Sequence, residues 1–76
     1  MKELVRLLAQ QLVNNPDAVK VTETPGDAAT LLELRVAKED VGRVIGKQGR
    51  TAQSIRTILN AVAARNNRKV NLEIKE

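Results

Sequence analysis

Apolar residues recur along this chain at two different periods. Between residues 2 and 13, Leu4, Val5, Leu8 and Leu12 stand three or four apart with Leu7 nearby, which predicts an amphipathic helix. Asn14-Asn15-Pro16-Asp17 stops it, because proline cannot extend the hydrogen-bond ladder and biases Asn15 away from helix. The period then drops to two. From Ala18 to Thr24, Val19 and Val21 alternate with Lys20 and Thr22; from Thr30 to Ala37, Leu32, Leu34 and Val36 alternate with Glu33 and Arg35. Pro25-Gly26-Asp27 between them is turn chemistry, so the two strands form a hairpin.

Helical spacing returns at Val41, Val44 and Ile45, after Glu39-Asp40, acidic residues that suit a helix start. Gly46 and Gly49 interrupt this helix within two turns. Ala52, Ile55, Leu59 and Val62 then resume the spacing, with Ile58 and Ala63 widening the stripe, and carry a further helix to about Ala64 or Arg65. Asn66-Asn67-Arg68 connects it to a last strand, in which Val70, Leu72 and Ile74 alternate with Asn71, Glu73 and Lys75. The order α-β-β-α-α-β predicts an α+β, two-layer sandwich: a three-stranded mixed sheet covered on one face by three helices. If the last two strands are neighbours, they are parallel and their crossover right-handed. No linker or repeat divides the chain, so residues 1–76 are read as one domain.

The composition narrows the chemistry. Hydrophobic residues make up 42% of the chain, almost all Val, Leu, Ile and Ala, enough for one small core. The absence of cysteine removes disulfides and thiolate metal sites and fits a reducing compartment. No apolar run approaches the roughly 20 residues of a membrane helix, and charges interrupt the N-terminal segment too often for a signal-peptide core. The expectation is a cytoplasmic protein without cofactor, metal or small-molecule substrate.

The net charge of +4 conceals a segregation. Arg43, Lys47, Arg50, Arg56, Arg65, Arg68 and Lys69 lie in a stretch with no acidic residue; the remainder holds six basic and nine acidic residues, so the two parts carry +7 and −3. Such a block suits an anionic polymer through its phosphates, or is simply a solvated helix face. The glycine turn inside it favours binding. Gly46-Lys47-Gln48-Gly49 can take up unusual dihedrals and, without a Cβ at either end, lets a nucleic-acid backbone approach the main chain. Gly42-Arg-Val-Ile-Gly46-Lys47-Gln48 looks superficially like a P-loop, but it has three intervening residues instead of four and glutamine where Ser or Thr would bind the metal.

The run Val44-Ile45-Gly46-Lys47-Gln48-Gly49-Arg50-Thr51-Ala52-Gln53-Ser54-Ile55 resembles the signature of the K-homology (KH) RNA-binding domain. That signature is an apolar pair, Gly-x-x-Gly, and an isoleucine six residues after the second glycine. The element order is similar to the type II, bacterial arrangement, and a stand-alone chain of this length is similar to the small bacterial KhpA family. The resemblance implies that Gly46, Lys47, Gln48 and Gly49 clamp the backbone of about four single-stranded nucleotides. It further implies that the flanking helices form one wall of a groove and a strand the other. Lys47 then meets a phosphate, with Arg50 beside it and Gln48 hydrogen-bonding. Arg43, Val44, Ile45 and Arg56 complete the candidate RNA-binding set; Val44, Ile45 and Ile55 suit core or groove floor better than base reading. Arg65, Arg68 and Lys69 read as general attraction or solubility.

The same resemblance implies an RNA chaperone or post-transcriptional regulator. It would act as a homodimer or with a larger KhpB (Jag, also EloR) partner, in a system linked to cell elongation and peptidoglycan homeostasis. The missing aromatics remove base stacking on Phe, Tyr or Trp. One copy is therefore expected to bind weakly and with little base preference, and to gain from a second module through avidity. Two other classes stand beside this. An enzyme lacks support, since His and Cys are absent and Ser54 is the only serine. A protein-interaction adaptor that has lost RNA binding sits poorly with Lys47 and the unbroken basic stretch.

Overall fold

The computed structural model describes residues 1–76. Helix α1 spans Lys2–Leu12, strand β1 Lys20–Thr24, strand β2 Thr30–Arg35, helix α2 Val41–Ile45, helix α3 Arg50–Ala64 and strand β3 Val70–Lys75. The α-β-β-α-α-β order is the one the periodicity predicts. The first strand starts two residues later than expected, because Pro16–Ala18 closes into a 3-10 turn in which the Ala18 N–H donates to Asn15 O at 3.0 Å. The second ends at Arg35 rather than Ala37, although the Val36 N–H still donates to Lys75 O.

The strands lie in the order β1-β2-β3. β1 and β2 are antiparallel, with Val21 opposite Leu34; β2 and β3 are parallel, with Leu32 opposite Leu72. Thr30, Leu32 and Leu34 of β2 share a buried face with Val70 and Leu72 of β3 and Val21 of β1. Leu31, Glu33 and Arg35 point the other way, beside Glu73 and Lys75, so only one face of the sheet carries helices. Lys75 Nζ bridges Glu33 at 3.0 Å and Glu73 at 3.3 Å on that open face, which raises the Lys75 pKa.

The core is wholly aliphatic. Leu32 and Leu34 at the sheet centre meet Val5 and Ala9 of α1, Val44 of α2, and Ile55, Leu59 and Ala63 of α3. Burying a Leu, Val or Ile side chain contributes roughly 1.5–3 kcal/mol, so these few residues carry most of the stability. Two details differ from the sequence expectation. Val5 and Ala9, not the leucines, form the centre of the α1 stripe: Leu4 and Leu8 flank it, while Leu7 is 56% exposed and Leu12 37%. Small residues at the centre let the helix lie close to the sheet. Ile58 of α3, expected to widen the buried stripe, is 43% exposed.

Asp40 stands at the start of α2, where the sequence places it, but its side chain makes no capping bond to that helix. It is fully buried and reaches back across the fold, Oδ1 accepting from the Asn14 N–H at 3.1 Å, Oδ2 from the Asn15 N–H at 3.0 Å and from Asn15 Nδ2 at 3.0 Å. The segment leaving α1 is thereby tied to the start of α2. Burial, the largest single influence, pushes the Asp40 pKa up; the Asn15 side chain, the Asn14 and Asn15 N–H groups and the Arg43 charge together outweigh it, and the net pKa lies below the usual value.

A carboxyl with a depressed folded-state pKa stabilises above its unfolded value of about 4, and the contribution is lost as pH falls through the folded pKa. Asp40→Asn removes the charge and replaces one of the two acceptor oxygens by an NH2 group that faces an N–H donor, and should lower the melting temperature at pH 7. The gap from the native chain should begin to close below about pH 4. Thermal melts from pH 7 down to pH 2 test this; a gap that stays constant contradicts the assignment.

Candidate nucleic-acid interface

Between α2 and α3 the chain turns in four residues, and three of them have positive φ: Gly46 (78°), Gln48 (57°) and Gly49 (73°). α2 ends when the Gly46 N–H donates to Gly42 O at 2.9 Å, and the Gly49 N–H closes the turn on Gly46 O at 3.1 Å. The two glycines are needed for different reasons. Gly46, with ψ 175°, occupies a region that is essentially glycine-only, and a Cβ there would meet Thr51 Oγ1 at 2.2 Å and the Thr51 N at 2.9 Å. Gly49 is left-handed α, and a Cβ there would meet nothing within 4 Å. The Gly49 side of the turn is therefore open to an approaching chain, and the Gly46 side is packed against α3.

Lys47, Gln48 and Arg50 project from this turn and are exposed. Neither Lys47 nor Arg50 has a carboxylate within 4.0 Å; of the seven basic residues between 43 and 69, Arg43 alone is ion-paired, its Nε 3.7 Å from Asp40 Oδ1. The first N–H groups of the 15-residue α3 face the same region and add partial positive charge. The loop thus presents two unpaired cations, an amide and a helix start.

The remaining candidates separate. Val44 is fully buried and anchors α2 in the core, with no surface to offer a ligand. Ile45 is 38% exposed beside the turn. Arg43 is held by the buried Asp40, which leaves its charge partly neutralised. Arg56, one and a half turns into α3, donates from Nη2 to Leu72 O at 3.4 Å. This is a contact to the free edge of the sheet. Lys69 O and Lys75 O accept from β2, so by strand alternation the carbonyls of Val70, Leu72 and Ile74 point away from it. A cleft of about 160 Å³ lies there, lined by Arg56, Leu59, Asn60, Val70, Asn71 and Leu72.

Asp40, Thr51 and the β3 edge were not legible as site residues. Thr51 matters only through the Gly46 approach, and the edge depends on strand order. The nine acidic residues gave no sign that Asp40 would be the buried one.

The chain is similar to known proteins over its whole length. The model of the KhpA/KhpB KH domain matches residues 2–74. A protein named "RNA-binding protein KhpA" from Caldanaerobacter subterraneus subsp. tengcongensis is 53% identical over 74 residues, 97% of this chain and 99% of that one. Proteins of the same name from Clostridium perfringens and Aquifex aeolicus are 51% and 47% identical, covering 97% and 100% of this chain and 99% and 96% of theirs. Among solved structures, Aquifex aeolicus Era Y63A bound to GDP and AlF4− superposes with a TM-score of 0.63 at 27% identity, over 97% of this chain and 29% of Era. Era in complex with MgGDPNP and nucleotides 1506–1542 of 16S ribosomal RNA gives 0.57 at 28% identity, over 97% of this chain and 28% of that one.

The asymmetry of the turn predicts unequal glycine variants. Gly46→Ala meets both a forbidden dihedral and Thr51, and should cost at least about 2 kcal/mol. Gly49→Ala meets only the left-handed penalty of about 1–2 kcal/mol. Urea unfolding of both variants distinguishes them, and equal losses would contradict the packed-side, open-side description.

Proposed function

The chain belongs to the KhpA/KhpB KH-domain family, and on that premise we propose that it is an RNA-binding protein that holds a single strand at the Gly46–Gly49 turn. The observation that carries this reading is the turn itself. It is pre-bent by three positive φ values, sterically open at Gly49, and flanked by Lys47 and Arg50 without competing carboxylates. A strand would set its backbone against Gly49, with phosphates near Lys47 and Arg50 and Gln48 supplying a hydrogen bond. Arg56 and the cleft at the β3 edge extend the contact toward the bases. The relatives named RNA-binding proteins, and the Era structure that includes 16S ribosomal RNA nucleotides, support RNA as the polymer.

The binding is electrostatic in the main and poor in base selection, because the chain has no aromatic side chain to stack on. The role proposed is that of an RNA chaperone or post-transcriptional regulator in the cytoplasm. It works without catalysis, as a homodimer or with a KhpB-type partner, in a system tied to cell elongation and peptidoglycan homeostasis. Exposed Ile45 and Ile58, on the two helices that flank the turn, support a protein contact there. The same pair favours the second reading, an adaptor that uses this surface for dimerisation and binds little RNA.

Changing Lys47 and Gln48 together to Asp separates the two. The variant should keep its fold and oligomeric state, by circular dichroism and sedimentation, and lose at least about tenfold in affinity for mixed single-stranded RNA. Native binding should weaken steadily as salt rises. A folded variant with unchanged affinity, or native binding indifferent to salt, would exclude the phosphate-led site.

A further inference from the structure

We propose that the strand held at the Gly46–Gly49 turn continues past the β3 edge into a second phosphate-binding cleft at the far end of the domain, built around Arg68 and Lys69. The inference rests on the RNA-binding reading and extends its footprint beyond the four nucleotides of a Gly-x-x-Gly clamp.

The larger cavity of the molecule is not at the glycine turn. It measures about 470 Å³ and lies between the β1–β2 loop, residues 26–30, and the α3–β3 connection, residues 66–69. Only Ala28 and Ala29 of its lining are apolar. Arg68 and Lys69 bring two cations with no carboxylate within 4.0 Å, and Arg65, which follows the last residue of α3, is likewise unpaired. Asp27 lines the cleft as well and offsets one of them. A patch read from the sequence as diffuse charge therefore faces a cavity.

The backbone that carries these cations is fixed. The Asn67 N–H donates to Ala64 O at 3.1 Å and the Arg68 N–H to Ala63 O at 2.9 Å, with Asn67 at φ 56°; this is the Schellman arrangement of a helix end. The next carbonyl, Lys69 O, accepts from the Thr30 N–H at 2.9 Å. The turn consumes helix-end carbonyls that would otherwise repel an anion, and pins Arg68 and Lys69 between the end of α3 and the sheet.

The two clefts border consecutive residues of the chain, Lys69 lining the larger and Val70 the smaller. Arg56 and Leu72 meet in the smaller one, with Leu59, Asn60 and Val70 beside them, so α3 runs antiparallel to β3. One step back from Val70 is Lys69, which lines the larger cleft. The route from the glycine turn follows α3, about 22 Å long, past Arg56 to Lys69 and Arg68. The cavity is open and begins where this route ends, which fits a passing strand better than an enclosed small anion.

Mixed-sequence RNA oligomers of four, six, eight and ten nucleotides, titrated by fluorescence anisotropy, test the proposal. Native affinity should rise with length by about tenfold or more between four and eight nucleotides. The variant Arg68→Gln with Lys69→Gln should match the native chain on the four-nucleotide oligomer and lose most of that gain. Its slope of log affinity against log salt on the eight-nucleotide oligomer should be shallower by about 1.4, two phosphate contacts at 0.7 each. Native affinity that is flat with length overturns the proposal, as does a variant that loses equally at every length. So does a variant that leaves RNA binding intact but loses a polyglutamate peptide, which would make the cleft a protein dock. Failure of the glycine-turn reading is separate: Lys47→Asp with Gln48→Asp would then still bind the four-nucleotide oligomer.

Discussion

Everything in this fold depends on covering one face of a three-stranded sheet with aliphatic side chains alone. Without a ring to fill space, closure requires helices that approach closely and interdigitate, and the small residues at their centres make that possible: Val5 and Ala9 on α1, Ala52 and Ala63 on α3. The two short-range consequences meet at the glycine turn. α2 must dock Val44 and α3 must dock Ile55 and Leu59 on the same sheet face, so the chain has four residues in which to reverse. Only a backbone with repeated positive φ achieves that, and the same conformation leaves Gly49 bare.

Charge is handled by the opposite principle on the two sides of the molecule. On the open sheet face, Lys75 is neutralised by Glu33 and Glu73. On the α2–α3 side the only acid in contact with the basic stretch is Asp40, and it is engaged mainly by backbone and amide donors, with Arg43 at the margin. Six of the seven cations of that stretch therefore have no carboxylate within 4.0 Å. That contrast supports the proposed anionic ligand on the α2–α3 side.

Much of this was legible in the residues. Period-two and period-3.6 runs located all six elements, the Gly-x-x-Gly spacing located the turn, and the helices between β2 and β3 implied that these strands would be parallel if they were neighbours, which they are. What escaped has a common cause: it depends on where separate segments meet. Val5 and Ala9 lie under the sheet, and nothing in the α1 stripe distinguishes them from Leu7. Asp40 looked like a helix-start acid, because its donors at residues 14 and 15 are distant in sequence. Arg68 and Lys69 looked like general charge until the β1–β2 loop closed a cavity over them, and the free carbonyl at Leu72 exists only because β3 is an edge strand.

The parallel partnership of β2 and β3 also sets an order of assembly. β1 and β2 pair across a short loop, but residues 36–69 intervene before β2 can meet β3. Contacts of such long sequence separation form late, after loop-closure entropy has been overcome. Until then one side of the central strand is unpaired, and Leu32 and Leu34 are half covered. The edge that Arg56 engages does not yet exist, so the glycine turn can form in a nascent or partly folded chain without the wall opposite it. On the RNA-binding reading proposed above, the wall opposite the glycine turn is completed only when β3 joins the sheet, so a strand can be held there only by a chain whose longest-range pairing is in place.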